Sequence, residues 1–154
     1  MTFFYEIAIG LGVFLSLLFS ELLGVTAGGI IVPGYIALYF HDILSIIGTF
    51  ATSLLVFFAM KAISQVMFLF GRRRLTLALL LGFLFGYFSR HYFVFEAWET
   101  ELTFDAIGWI IPGLIANWMF RQGVIRTISM VLLTSVLIKL ILILVSGGKI
   151  GAYV

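Results

Sequence analysis

Long apolar runs, separated by short clusters of charge, dominate this chain. Runs at 7–23, 43–70, 75–93 and 128–145 are each nearly continuous in apolar residues. Crossing a hydrocarbon core takes about 20 such residues in a helix, so each run predicts a membrane-spanning segment. Two further runs, 25–40 and 106–120, are shorter and interrupted. Gly28, Gly29, Pro33 and Gly34 break the first, and Pro112 and Gly113 break the second. The pattern predicts an all-α integral membrane protein of about six transmembrane segments. It forms a single polytopic domain over residues 1–154, with its second and fifth segments broken at Pro-Gly. The glycine-rich tail at 147–154 is expected to fray.

Composition sharpens this picture. Hydrophobic residues make up 63% of the chain and charged residues 10%, against roughly 45–50% and about 25% in soluble domains. Too little polar surface is available to wrap that much apolar side chain in water, which excludes a soluble enzyme. Cysteine is absent, so there is no thiolate nucleophile or cysteine metal site, and two histidines make a weak case for a metal. The formal net charge of +2 is too small to argue for nucleic acid. No Lys or Arg precedes the first apolar run and no small-residue cleavage site follows it, which predicts a retained helix.

Sidedness follows from the basic residues. Arg72, Arg73 and Arg74 form the strongest cluster, which the positive-inside rule places in the cytoplasm. If all six segments cross, Arg121 and Arg126 return to that side. The N-terminus and the acidic loop 96–105, with Glu96, Glu99, Glu101 and Asp105, then lie outside. If the two broken segments only dip into the membrane and return, Arg121 and Arg126 fall outside beside the acidic loop. Six crossings keep the basic clusters together and are the expected topology.

The two breaks are related. Gly29, Ile31, Pro33, Gly34, Ile36 and Ala37 recur 79 residues later as Gly108, Ile110, Pro112, Gly113, Ile115 and Ala116. Each copy is the middle member of a helix triplet, so the chain reads as two repeats, approximately 5–71 and 74–148. Three crossings per half make them inverted. Proline removes a backbone donor and glycine permits a close approach or an unusual backbone angle. Paired broken segments in inverted halves point to a substrate path, which makes Pro33, Gly34, Pro112 and Gly113 candidates. Close helix packing through small residues is the competing explanation.

Other polar residues carry candidate roles. Arg72, Arg73 and Arg74, with Glu21, Arg121 and Arg126, are candidates for contact with a partner or a polyanion, since arginine pairs bidentately with carboxylates; for the Arg72–Arg74 cluster topology anchoring is the plainer role. Lys61 and Lys139 lie inside apolar runs, where a lysine at mid-membrane costs about 2.5–3.5 kcal/mol. Lys61 precedes Gly71 by 10 residues, roughly 15 Å along a helix. Both lysines are expected to face the protein interior, toward carboxylates or toward backbone carbonyls. Glu21 ends the first run and could pair with Arg121 or Arg126. Asn117 follows the second break and is expected to satisfy freed backbone groups, with substrate contact second. His41 beside Asp42, and His91 beside Arg90, fit interfacial roles. Tyr5, Tyr39, Tyr87, Tyr92, Tyr153, Trp98 and Trp118 fit an aromatic belt.

Taken in order, Glu21 to Gly24, Gly29 to Tyr35 with its Val-Pro-Gly-Tyr, Gly71-Arg72-Arg73, and the Ile-Pro-Gly-Leu-Ile-Ala-Asn ending at Asn117 resemble the CapC/PgsC family. The resemblance runs over nearly the whole chain; the acidic loop 96–105 matches less well. It implies the small membrane subunit of the poly-γ-glutamate capsule machinery. A CapB/PgsB-like ATP-dependent amide ligase and a CapA/PgsA-like membrane-anchored subunit are the implied partners. No catalytic residue comes with the resemblance. The sequence has no GxxxxGK[ST] phosphate loop, so ATP is expected on the ligase and no cofactor on this chain. The expected function is a multi-pass subunit of the cell membrane that anchors the ligase and assists polymer elongation or translocation. Lipid, poly-γ-glutamate and further copies of the chain are the remaining expected contacts, the last because six helices hardly enclose a wide pore. An autonomous inverted-repeat transporter or channel is the alternative.

Overall fold

The computed structural model describes residues 2–68, 70–92, 108 and 110–145. The acidic loop 96–105, Trp98, the tail 147–154 with Tyr153, and the side chains of Tyr5, Arg90 and Tyr92 lie outside that description. Among the described residues there are six α-helices and no strand. In order they are α1 Thr2–Leu23, α2 Val32–Leu38, α3 Ile43–Ser64, α4 Arg72–Tyr92, α5 Ile111–Gln122 and α6 Val124–Val145. Three of them, α1, α3 and α6, are long and apolar enough to cross a membrane. The α4 helix has 21 residues but carries Arg72, Arg73 and Arg74 at one end and Ser89, Arg90 and His91 at the other.

The broken segments are only partly helical. The seven residues of α2 and twelve of α5 extend about 10 Å and about 18 Å at 1.5 Å per residue. A proline stands in the first turn of each helix, where its missing amide costs no intrahelical hydrogen bond. Ahead of α2 the backbone turns through Gly28 and Gly29, at φ 68° and 131°, a region that disfavours any side chain. Gly108 does the same ahead of α5, at φ 66°.

The third helix is shorter than the apolar run that encodes it. It stops at Ser64, although the run continues to Phe70. Gln65 and Val66 donate to the carbonyls of Ala62 and Ile63, three residues back, and tighten the turn. At the other end Asp42 caps α3, accepting from Ser45 N at 3.4 Å and from Ser45 Oγ at 2.6 Å. Several hydroxyls inside the bundle are absorbed by carbonyls one turn back along their own chain. Thr49, Thr52 and Ser53 donate to carbonyls four residues back in α3, and Thr127 and Ser135 do so in α6.

Packing relates the two triplets. The pair α1–α2 has its counterpart in α4–α5, α2–α6 in α5–α3, and α1–α6 in α4–α3. The closest approaches also correspond. A methyl group added to Gly12 would lie 2.8 Å from Gly34 Cα, and one added to Gly82 would lie 2.7 Å from Gly113 Cα. Gly34 abuts the Ala8 carbonyl and Gly113 the Ala78 carbonyl. As α1 advances from Ala8 to Ser16, its partners recede from Gly34 to Gly29, so the two run antiparallel. A central cluster joins the halves through Val32, Ile36, Ile111, Ile115, Met119 and Val131.

The same contacts sort the polar residues by end. Met60, Ala78 and Ala116 pack together, which sets the end of α3, the start of α4 and the end of α5 at one end of the bundle. Thr26 bonds to Gln122 there, and α6 begins two residues later. Lys61, Arg72, Arg73, Arg74, Arg121 and Arg126 all belong to that end, with Glu21. Ala8, Ala37, Ile138 and Leu142 cluster toward the opposite end, with Leu38 and Phe40. Glu6, Asp42 and Lys139 belong there.

Candidate functional site

At the basic end, α4 and α5 cross so that Arg74 meets the last turns of α5. Asn117 is 7% exposed and accepts a hydrogen bond from Arg74 Nε at 3.0 Å. The Arg74 guanidinium lies 5.8 Å from the centre of the Phe120 ring, within the range of cation–π attraction. Asn117 and Arg121 are four residues apart on α5 and so share a face, one turn from each other. Arg121 in turn covers the Trp118 ring at 5.1 Å. Two guanidiniums thus lie near the end of α5, each braced by an aromatic ring. Burial first, and then the like charge of Arg121, hold the Arg74 guanidinium below its ordinary range. Among the described residues neither arginine makes an ion pair.

This differs from the role expected of Asn117. Its side-chain oxygen accepts from Arg74 rather than from the backbone at the break, where Pro112 and Gly113 lie in the first turn of α5. It orients an arginine 43 positions away in sequence. The Arg72-Arg73-Arg74 cluster also divides. Arg72 and Arg73 are exposed, whereas Arg74 is half-buried and held.

A second polar cluster secures the first break. Gln122 Oε1 accepts from Thr26 N at 3.1 Å and from Thr26 Oγ1 at 3.2 Å. Gln122 Nε2 donates to Thr26 O at 2.6 Å and to Thr127 Oγ1 at 3.1 Å. Ser16 Oγ donates to Gly29 O at 3.2 Å. One glutamine therefore satisfies both backbone groups of a residue in the non-helical stretch ahead of α2. Sequence reasoning passes over Gln122, Thr26 and Ser16. The available signal was a glutamine and hydroxyls in a chain where few polar residues interrupt apolar sequence.

The remaining candidates are not brought to this site together. Pro33, Gly34, Pro112 and Gly113 are all buried, and the two glycines press backbone to backbone on α1 and α4. Lys61 does not lie at mid-helix facing inward: α3 ends three residues later, so Lys61 sits in its last turn, exposed. Lys139 lies six residues before the end of α6 and is partly exposed rather than enclosed. Glu21 is exposed and pairs with neither Arg121 nor Arg126 among the described residues, and Arg126 is exposed. His41 Nδ1 lies 3.1 Å from the Leu38 carbonyl, and the ring stacks on Tyr39. His91 stacks on Tyr87. No group of three metal-ligating side chains occurs among the described residues.

Comparison with known proteins gives a consistent result. The family model described as Capsule biosynthesis CapC matches residues 11–128. A Bacillus subtilis (strain 168) protein described as PGA biosynthesis protein CapC is 37% identical over 130 residues, covering 84% of this chain and 87% of its own. A Bacillus anthracis protein described as Capsule biosynthesis protein CapC is 39% identical over 134 residues, with the same coverage of 84% and 87%. No solved structure matches the chain.

Proposed function

We propose, from the premise that this chain belongs to the CapC family of capsule biosynthesis proteins, that it is the membrane subunit of a poly-γ-glutamate synthase and export complex. It anchors an ATP-dependent amide ligase of the CapB/PgsB kind at the cytoplasmic surface and assists the polymer outward. A CapA/PgsA-like subunit completes the assembly. The chemistry of activation, with its ATP, belongs to the ligase, and this chain supplies the membrane scaffold and a cationic surface.

One observation carries the reading: among the described residues, six basic side chains gather at one end of the bundle, against a single carboxylate, Glu21. A cytoplasmic end is expected to be basic in any membrane protein. Here, however, one arginine is pinned by a buried asparagine rather than left free to reach lipid. The duplicated packing supports two inverted halves, each with a broken middle segment that carries the chain from one end to the other. Its residues at 24–31 are irregular, and irregular backbone is tolerated at depth where protein surrounds it. The packing of Gly34 and Gly113 gives the Pro-Gly breaks a structural role, which moves the polymer contact to the basic end. The exposed apolar surface of the long helices is left for lipid and for further copies of the chain.

The paired breaks also fit an autonomous inverted-repeat transporter, and one experiment separates the two. The tagged chain is purified in mild detergent together with a ligase of the CapB/PgsB kind, and glutamate-dependent ATP turnover is assayed in the eluate. Recovery of the ligase, with turnover that requires this chain, is the expected result. A chain that purifies alone, beside a ligase indifferent to it, would overturn the assignment in favour of the transporter.

A further inference from the structure

We propose that Arg74, oriented by Asn117, and Arg121, braced on Trp118, form a binding site for the free α-carboxylates of a γ-glutamyl chain. The inference rests on the polymer reading above and names the residues that meet the polymer.

Among the described residues the geometry leaves one edge of Arg74 open. Its Nε–H is committed to Asn117 and one face of its plane lies over Phe120. The two terminal nitrogens, Nη1 and Nη2, remain as a fork that matches the two oxygens of a carboxylate. A fork fixed beforehand loses little freedom when the anion arrives. Arg121 supplies a second cation one helical turn beyond Asn117. In a γ-linked glutamate chain every residue keeps its α-carboxylate, so a repeating anion meets a pair of guanidiniums.

The duplicated fold provides an internal control. At the 79-residue offset, Asn117 corresponds to Leu38 and Arg121 to Asp42. Leu38 packs in the apolar cluster of α1, α2 and α6, and Asp42 caps α3. The packing of α2 on α1 is thus achieved with leucine where α5 on α4 has asparagine. The Asn117–Arg74 bond is not a requirement of the scaffold. It is an addition to one half, placed at the basic end. The exposed Arg72 and Arg73 are suited to lipid phosphates, whereas Arg74 is half-buried with its Nε–H held by Asn117, and Arg121, though exposed, is braced on Trp118.

The test uses the chain alone, so it stands apart from recovery of the ligase. Wild type and variants are placed in nanodiscs of phosphatidylcholine and titrated with a fluorescent γ-glutamyl decamer. Asn117→Leu installs the residue that serves in the first half. Arg74→Lys keeps the charge and removes the fork, and Arg73→Gln removes an exposed charge. We expect Asn117→Leu and Arg74→Lys each to weaken binding about tenfold or more, as loss of a charge-assisted, oriented bond does. Arg73→Gln should weaken it only slightly. Unchanged affinity in both Asn117→Leu and Arg74→Lys would overturn the proposal. So would a wild type that ignores the decamer and instead retains phosphatidylglycerol through Arg74, which would make the site a lipid site. Arg74→Lys carries the decision if Asn117→Leu fails to elute as a single species.

Discussion

Replacing Gly113 by valine is expected to abolish the folded protein, and Gly34→Val to do nearly the same. A Cβ on Gly113 would overlap the Ala78 carbonyl oxygen and sit 3.0 Å from Leu79 Cα. A Cβ on Gly34 would stand 2.9 Å from the Ala8 carbonyl oxygen and 3.2 Å from Ile9 Cα. These neighbours are backbone atoms of α4 and α1, so they cannot swing aside as a side-chain tip would. Overpacking a well-packed interior by ordinary side-chain clashes costs about 1–3 kcal/mol. Forcing two helices apart costs more, because every contact along the crossing opens together. Native proteins hold only about 5–15 kcal/mol in total. Size-exclusion in mild detergent should show Gly113→Val as an aggregate with no defined unfolding transition. Gly10→Ala is the control: nothing lies within 4 Å of the added carbon, and alanine favours a helix over glycine by roughly 0.5–1 kcal/mol. A Gly113→Val protein that elutes and melts like its parent would contradict the packing described for the breaks.

The second large effect is expected at Gln122. In Gln122→Leu the amide, the carbonyl and the hydroxyl of Thr26 all lose their partner. A buried polar group left without a hydrogen bond costs about 1–3 kcal/mol. The stretch ahead of α2 has no helical ladder to share that loss, so the effect should be local as well as large. Hydrogen exchange should accelerate over residues 25–29 far more than in α3, and the melting temperature should fall by more than in Ser16→Ala. Gln122→Glu keeps the acceptor for Thr26 N but faces an oxygen to the Thr26 carbonyl, so it should fall between the two. Uniform exchange across α3 and residues 25–29 in Gln122→Leu would contradict the role given to the network.

Much of the scaffold was legible in the sequence because its devices are chemically conspicuous. Two prolines and the glycines beside them mark both breaks, and the hydropathic runs mark the long helices. The matching partners of those breaks were not legible. Ala8 with Ala78, and Gly12 with Gly82, stand 70 residues apart rather than 79, and small residues are lost in an apolar background. Hydropathy also overran α3, because it measures preference for an apolar solvent and not backbone angles. The extra residues made Lys61 look deeply placed when it lies in the last turn. The candidate site was legible only in parts. Asn117, Arg74 and Arg121 were each conspicuous, but a bond spanning 43 positions depends on how α4 crosses α5, which local spacing does not encode. Gln122 escaped notice because its main partner, Thr26, which it holds by backbone and hydroxyl, lies 96 residues away.

The account depends on the broken segment 24–42 carrying the chain from the basic end to the opposite end, and the chain's lack of cysteine makes that directly measurable. Glu21→Cys and His41→Cys place single thiols at exposed positions on either side of the segment. Intact cells are treated with a membrane-impermeant maleimide, and permeabilised cells are treated alongside. The account predicts that Cys at 41 reacts in intact cells and that Cys at 21 reacts only after permeabilisation. Labelling of both from the same side would mean that the segment dips and returns, which would contradict the proposed inverted halves and the cytoplasmic basic face proposed with them.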